Sequence, residues 1–251
     1  MKTLGILSGV NGSAQIWNGV ASDVELDQTP LTPTLAGHGL DWQSRGLQTF
    51  ESEVARLASL ASSAGRPRLL CGYSMGARVA LGLLVRQPHL FDAALLIGLH
   101  PGLTDEAARA ERREVDARRA HLLRERGLEA FVAAWEELPL FASQRLLSQE
   151  TLADQRDIRL GHDAEGLARS LEVLGLAEMP NYRPAMEALG IPITLMTGSL
   201  DAKFSRIATT LDSQNTHIDA AVVEGVGHNV VLEAPAAVAA AMKQVAEGMC
   251  G

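Results

Sequence analysis

The clearest candidate for a catalytic residue in this chain is a serine within a short glycine-flanked motif. Residues 72–76 read Gly-Tyr-Ser-Met-Gly, with Ser74 in the middle. An apolar run of strand length precedes them, and an apolar pattern of helical period follows. Gly-x-Ser-x-Gly between a strand and a helix is typical of a nucleophile elbow, in which Gly72 and Gly76 permit a very tight turn. The pattern therefore predicts that Ser74 is an exposed nucleophile.

A serine of this kind needs a histidine to accept its proton and an acid to orient that histidine. Asp201 follows an apolar run of strand length, and His228 follows the next one. Taken alone, Asp201 is equally consistent with a turn residue, and His228 with an exposed loop histidine. Together they complete the chain order serine, aspartate, histidine, which α/β-hydrolases use at one edge of their sheet. We therefore predict Ser74, Asp201 and His228 as a catalytic triad.

Negative charge that develops in such a site needs two backbone N–H groups. We expect one from Met75, directly after the serine, and the other from Val10, in the loop after the first predicted strand. His38 is interpreted as either a site-lining residue or a turn residue, and His100 stands near the expected mouth of the site. No two histidines have the spacing of metal ligands, so neither a metal nor a cofactor is predicted.

Apolar periodicity indicates the elements that position these residues. Strand-length and helical patterns alternate through the first hundred residues and return near the C-terminus, which predicts an α/β fold with a mostly parallel sheet flanked by helices. The chain between them is helical in character and too long for a simple crossover. We predict an α/β core from residues 1–102 and 181–251, and an inserted helical lid from residues 103–180. Strands are expected at residues 3–7, 24–26, 69–71, 93–98, 191–198 and 220–223, and helices at 14–21, 47–64 and 233–249.

The amino-acid composition limits the kinds of protein that this chain could be. The 251 residues are 47% hydrophobic, which suits one globular core carrying a small lid. A formal net charge of −8 argues against nucleic acid or an anionic membrane as a partner. The apolar run at the N-terminus is shorter than a signal peptide requires, so the expected location is the cytoplasm. Two cysteines, Cys71 and Cys250, suggest no disulfide framework.

Beyond the triad, several segments resemble the 2-succinyl-6-hydroxy-2,4-cyclohexadiene-1-carboxylate synthases of menaquinone biosynthesis, which are members of the α/β-hydrolase superfamily. The elbow and the Gly-His-Asn at 227–229 are common to the superfamily. Pro-Leu-Phe-Ala-Ser at 139–143 and Asp-Ala-Lys-Phe at 201–204 are more specific. The first loop departs from the family's usual His-Gly-Phe, since it reads Ser-Gly-Val at 8–10. The other matching segments are 77–80, 99–103, 110–116, 135–138 and 198–200.

The resemblance implies a lyase that releases pyruvate from an enolpyruvyl substrate, with Ser74 as the base that removes a proton. It implies a small substrate with several carboxylates, for which arginine side chains are natural partners. Arg112 and Arg159 fall where the family places substrate-binding arginines, and Trp135 where it places a lid tryptophan. Tyr73, beside the serine, is expected to line the pocket.

Two other functions fit the same triad or fold. One is a carboxylesterase or carbon–carbon bond hydrolase that forms an acyl-enzyme at Ser74. The other is a binding protein that keeps the fold without catalysis. The complete set of serine, aspartate and histidine argues against the binding protein. Arginines in the predicted lid favour an anionic substrate over a neutral ester.

Overall fold

The computed structural model describes residues 3–7, 12–21, 30–63 and 65–249. Within these ranges five strands form a sheet in which they lie side by side in chain order, and every neighbouring pair is parallel. The parallel α/β sheet predicted from the sequence is therefore confirmed. The predicted strand at 24–26 lies outside the described residues. The strands are β1 (Thr3–Leu7), β2 (Arg68–Tyr73), β3 (Ala93–Ile97), β4 (Ile193–Gly198) and β5 (Ile218–Val223).

Helices connect the strands and cover the sheet. The described α-helices are α1 (Asn18–Ala21), α2 (Phe50–Ser62), α3 (Met75–Arg86), α4 (Glu106–Glu136), α5 (Gln149–Leu160), α6 (Ala164–Val173), α7 (Arg183–Met186), α8 (Ala202–Gln214), α9 (Val230–Glu233) and α10 (Pro235–Gly248). Short 3₁₀ helices occupy Ala14–Trp17, Trp42–Arg45, Pro88–Leu90 and Pro139–Leu146.

Alternate residues of β2 supply two separate cores, because successive side chains of a strand point to opposite faces. Leu70 packs with the apolar side of α2 and α3, including Phe50. Leu69 and Cys71 pack on the other face with α10, including Val238. The central strands are thus buried on both sides, as the continuous apolar runs in the sequence indicate.

Two predicted helix starts are wrong, each for a local reason. The helix expected from residue 47 begins at Phe50, because the Thr49 side chain accepts a hydrogen bond from the Ser52 N–H at 3.0 Å and caps the helix there. The helix expected over 233–249 begins at Pro235, because Ala234, whose φ is −145° and ψ 60°, separates it from α9. The following proline disfavours helical backbone at that residue.

Residues 103–180, which we call the helical segment, contain α4, the 3₁₀ helix at Pro139–Leu146, α5 and α6. Its described residues form no strand, in agreement with the sequence pattern. The helical segment has an apolar cluster of its own, in which Leu123 and Phe131 of α4 pack against Leu167 and Leu171 of α6. None of the described helices combines the length and apolar character needed to cross a bilayer.

Candidate active site

Ser74 forms the turn between β2 and α3. Its φ of 53° and ψ of −110° make it the one non-glycine residue with positive φ in the described part of the chain. Its N–H donates to the Ile97 carbonyl at 2.8 Å, which ties the turn to β3. A Cβ on Gly72 would lie 2.8 Å from the Ala77 Cα, so only glycine fits where the strand and helix approach. The strand, strained serine and helix have the geometry of a nucleophile elbow.

The structure brings Ser74, His228 and Asp201 into one chain of hydrogen bonds. His228 Nε2 lies 3.1 Å from Ser74 Oγ, and His228 Nδ1 lies 2.7 Å from Asp201 Oδ2. A carboxylate can only accept, so Nδ1 carries the proton and Nε2 is free to accept from the serine. His228 and Asp201 are both buried. This arrangement can remove the proton of Ser74 and hold the resulting imidazolium beside a carboxylate.

Local backbone and aromatic contacts position the two partners of the serine. Asp201 precedes α8 and its Oδ1 accepts from the Phe204 N–H at 3.4 Å, which leaves Oδ2 for the histidine. Aromatic rings surround His228, with Phe204 at 4.7 Å, Tyr73 at 5.6 Å and Phe141 at 6.2 Å between ring centroids. These apolar rings exclude water from most of the imidazole and restrict its orientation.

A cavity of about 110 Å³ lies beside Ser74 and His228. The core and the helical segment both line it, and the described lining includes more arginine than acid. Its charged and aromatic members are Arg78, His100, Arg112, Arg119, Trp135, Phe141 and Phe204.

One buried carboxylate organises two of these arginines. Asp116 accepts from Arg112 Nε at 2.6 Å and from Arg112 Nη2 at 2.9 Å, and it also accepts from Arg119 Nη1 at 3.3 Å. The Arg119 guanidinium lies 5.0 Å from the centroid of the Trp135 ring. Since one carboxylate faces two guanidinium groups, the wall retains positive charge, which favours an anionic ligand.

Arg78 adds a third cation to the lining of the cavity. It is buried, and its Nη1 donates to the Leu174 carbonyl at 3.0 Å. Burial and the neighbouring Arg112 lower the pKa of Arg78 to about 9, although Asp116 opposes the shift. The group therefore keeps its charge at neutral pH.

His100 contributes a neutral donor to the same cavity. Burial, together with Lys203 and Arg78, lowers its pKa to about 4. Its Nδ1 accepts from the Gly102 N–H at 3.2 Å, so the ring proton is on Nε2. The expectation that His100 lies near the mouth of the site agrees with its place in the lining.

Two residues assigned to the pocket from the sequence are not among the residues that line the cavity. Arg159 is buried against Phe141, with its guanidinium 5.5 Å from the centroid of that ring and its Nη1 3.0 Å from Glu136 Oε1. Tyr73 lies against His228 and is buried, and burial raises the pKa of its hydroxyl. Neither side chain is part of the cavity lining described above.

The remaining predicted residues fall in different places. Met75 begins α3, so its N–H is among those that have no partner within the helix. Val10 lies outside the described residues. His38 is buried beside His162, with ring centroids 5.4 Å apart, and it does not line the cavity beside Ser74.

Sequence reasoning missed Arg78 and Arg119 as site residues. Helical spacing is a signal that could have found them. Arg78 stands four residues after Ser74, and Arg119 stands seven after Arg112, so each shares a helix face with a residue already assigned to the site.

A parallel sheet with a strained serine at a strand–helix turn, completed by a later aspartate and histidine, defines a class of protein. Residues 6–241 match the model of the alpha/beta hydrolase family, and the chain therefore belongs to that family. The fold class predicted from the sequence is confirmed.

Curated proteins of similar sequence indicate a more specific relationship within the alpha/beta hydrolase family. The 2-succinyl-6-hydroxy-2,4-cyclohexadiene-1-carboxylate synthase of Enterobacter sp. (strain 638) is 32% identical over 240 residues, or 95% of this chain and 89% of that protein. A putative synthase of the same name from Bacillus subtilis (strain 168) is 32% identical over 91% of this chain and 84% of its own length. The resemblance to these synthases, predicted from the motifs, is confirmed.

Solved structures agree with this relationship. The structure of MenH from S. aureus superposes with a TM-score of 0.91 at 27% identity, and the match covers 100% of this chain and 95% of that one. A thermophilic esterase from Thermogutta terrifontis superposes with a TM-score of 0.83 at 22% identity, over 99% of this chain and 90% of that one. At 22% identity, the similarity to the esterase shows a shared fold and nothing about activity.

Proposed function

We propose that this chain is a lyase that eliminates pyruvate from 2-succinyl-5-enolpyruvyl-6-hydroxy-3-cyclohexene-1-carboxylate. The product is 2-succinyl-6-hydroxy-2,4-cyclohexadiene-1-carboxylate, for menaquinone or phylloquinone biosynthesis. The observation that carries the proposal is the cavity rich in arginine beside the hydrogen-bonded Ser74 and His228, in a chain similar to synthases of that name. A neutral ester would not need three guanidinium groups around the reacting serine.

In this proposal His228 takes the proton of Ser74 through Nε2, while Asp201 keeps Nδ1 protonated. The serine oxygen then removes a proton from the substrate ring. The electrons of the broken C–H bond at C2 form a double bond to C3, the existing double bond moves from C3–C4 to C4–C5, and the C5–O bond to the enolpyruvyl group breaks. The departing enolate takes up a proton to become pyruvate. Ser74 acts as a base, and no acyl-enzyme forms.

Negative charge that develops on the substrate is stabilised by the Met75 N–H at the start of α3. Val10, outside the described residues, is proposed as the second donor. Arg78, Arg112 and Arg119 bind the substrate carboxylates through charge-assisted hydrogen bonds. We also propose that the helical segment is a lid over a core formed by residues 1–102 and 181–251, since Arg112, Arg119 and Trp135 complete the cavity from that segment.

The direct test supplies the enolpyruvyl substrate and follows pyruvate with lactate dehydrogenase and NADH. The proposal expects rapid release of pyruvate and the appearance of the cyclohexadiene product. Turnover of simple nitrophenyl esters without any release of pyruvate would refute the proposal and favour an esterase that uses an acyl-enzyme.

A further inference from the structure

One carboxylate holds the backbone on both sides of His228. The Gly227 N–H donates to Glu233 Oε2 at 2.8 Å, and the Asn229 N–H donates to Glu233 Oε1 at 3.2 Å. Glu233 is the last residue of α9 and is half-buried. The two oxygens of a single side chain therefore bind the residues immediately before and after the histidine.

Other contacts leave this loop little room to adjust. Asn229 caps α9, with its Oδ1 accepting from the Leu232 N–H at 3.3 Å. On the other side, a Cβ added to Gly227 would lie 2.0 Å from Ser143 Oγ, so the helical segment lies directly against the loop. The loop is thus held between the start of α9 and the 3₁₀ helix that carries Phe141 and Ser143.

The position of this backbone decides whether His228 can work. Its ring must reach Asp201 Oδ2 at 2.7 Å and Ser74 Oγ at 3.1 Å at the same time. These partners lie on separate elements, so a small shift of the histidine backbone would lengthen at least one of the two hydrogen bonds. A displacement of about 1 Å in a catalytic group can lower a rate about a hundredfold.

We propose that Glu233 is a positioning residue for His228, and this inference rests on the catalytic role proposed above for the triad. The carboxylate acts through its two hydrogen bonds to the backbone and does not touch the substrate. Both N–H groups need an acceptor, and a carboxylate presents two equivalent oxygens. Glutamine has almost the same shape, but its amide offers one acceptor oxygen and places an N–H₂ against the second N–H group.

The test compares Glu233→Gln with Glu224→Gln, an exposed residue of the same loop. The readout is covalent labelling of Ser74 by phenylmethylsulfonyl fluoride, which does not depend on the proposed substrate. In this reaction the Ser74 Oγ–S bond forms, the S–F bond breaks, fluoride leaves and the serine proton passes to His228. Glu233→Gln should lower the labelling rate about tenfold to a hundredfold, while Glu224→Gln should label like the wild type.

A second readout separates positioning from general stability. Where pyruvate release is measured, Glu233→Gln should lower kcat by the same factor as labelling and leave KM nearly unchanged. An undiminished labelling rate in Glu233→Gln would overturn the inference.

Three more outcomes bear on the inference. If Glu233→Gln does not fold, Glu233→Asp provides the test, because the shorter carboxylate cannot reach both N–H groups and should label slowly; labelling at the wild-type rate would overturn the inference. A wild-type protein that is labelled but releases no pyruvate refutes the proposed function and leaves the result for Glu233 intact. A wild-type protein that is not labelled at Ser74 overturns the inference, since no activated serine would then exist.

Discussion

Backbone strain and side-chain chemistry coincide at Ser74. A non-glycine residue with φ 53° and ψ −110° costs about 1–3 kcal/mol and persists only where the surroundings determine it. The hydrogen bond to Ile97 and the start of α3 provide that constraint. The turn places Ser74 Oγ within hydrogen-bonding distance of His228. The strained backbone therefore occurs at the residue whose hydroxyl must be held in place for the proposed chemistry.

Ser74→Ala should reduce pyruvate release by about a thousandfold or more, because the base of the proposed elimination is lost. The fold should be unaffected, since alanine removes only one half-exposed hydroxyl. The coupled pyruvate assay and a thermal unfolding curve measure both effects. Ser59→Ala, on the exposed side of α2, is the matched control. Full activity in Ser74→Ala would remove the role assigned to this serine.

Arg112→Ala should lower kcat/KM about tenfold to a hundredfold, chiefly by raising KM, because charge-assisted hydrogen bonds to a substrate carboxylate are lost. Arg118 on the same helix is a suitable control, since its side chain is 68% exposed and its nearest acid, Glu114, is 3.7 Å away. Steady-state kinetics of the two variants and the wild type measure kcat and KM and so test this prediction. Equal KM values in Arg112→Ala, Arg118→Ala and the wild type would contradict the assignment of carboxylate binding to Arg112.

At the scale of elements, a bend divides α4 into two halves, both of which contribute residues to the cavity. The bend is at Gly127, whose φ of 78° and ψ of 177° interrupt an otherwise helical run from Glu106 to Glu136. The first half of α4 carries Arg112 and Arg119 to the cavity, and the second half carries Trp135. Only glycine adopts this backbone conformation without large strain.

Gly127→Ala should lower the free energy of unfolding by about 1–3 kcal/mol, because a Cβ is strained at this φ even though nothing lies within 4 Å of it. Gly190→Ala is the control, since its surroundings are equally open and its φ is not in the positive range. Urea denaturation measures both variants. A Gly127→Ala protein as stable as Gly190→Ala would show that the bend is not a constraint on the fold.

At the scale of the whole molecule, a buried pair of histidines joins the helical segment to the core. His162, between α5 and α6, accepts from the Gly39 N–H at 2.9 Å through Nδ1. Its ring meets His38 at a T-shaped angle of 89°. Burial lowers the pKa of His162 to about 4, and burial together with His162 lowers that of His38 to about 3. Both rings are therefore neutral in the folded protein at neutral pH.

These depressed pKa values predict acid sensitivity. Below about pH 6.5 the unfolded chain binds protons on both histidines while the folded protein does not, so stability falls as the pH drops from about 6.5 toward about 4. Each histidine contributes a slope of at most about 1.4 kcal/mol per pH unit. His162→Asn keeps an acceptor for Gly39 and should flatten this dependence.

Urea denaturation at several pH values between 4 and 7 measures the slope. The exposed His121 provides a control, and His121→Asn should retain the slope of the wild type. An unchanged slope in His162→Asn would show that the buried pair does not govern the response to acid.

The sequence by itself determined the parallel sheet, the elbow and the identity of the three hydrogen-bonded side chains. Each of these depends on a local pattern, since strand and helix periods are properties of neighbouring residues. Asp201 and His228 could be placed together because both follow parallel strands, whose carboxyl ends share one edge of the sheet. The specific segments at 139–143 and 201–204 were sufficient to indicate the synthases among other members of the superfamily.

Tertiary structure decided which arginines join Arg112 around the cavity. Arg78 comes from the helix after the serine, whereas Arg112 and Arg119 come from a helix whose packing on the core no local pattern encodes. Arg159 has the same residue type, but it packs against Phe141 and does not line this cavity. The two hydrogen bonds that Glu233 accepts from the histidine loop were not predicted either, although their donors lie only six and four residues before it. Contacts between side chains on separate elements follow from packing, which periodicity does not specify.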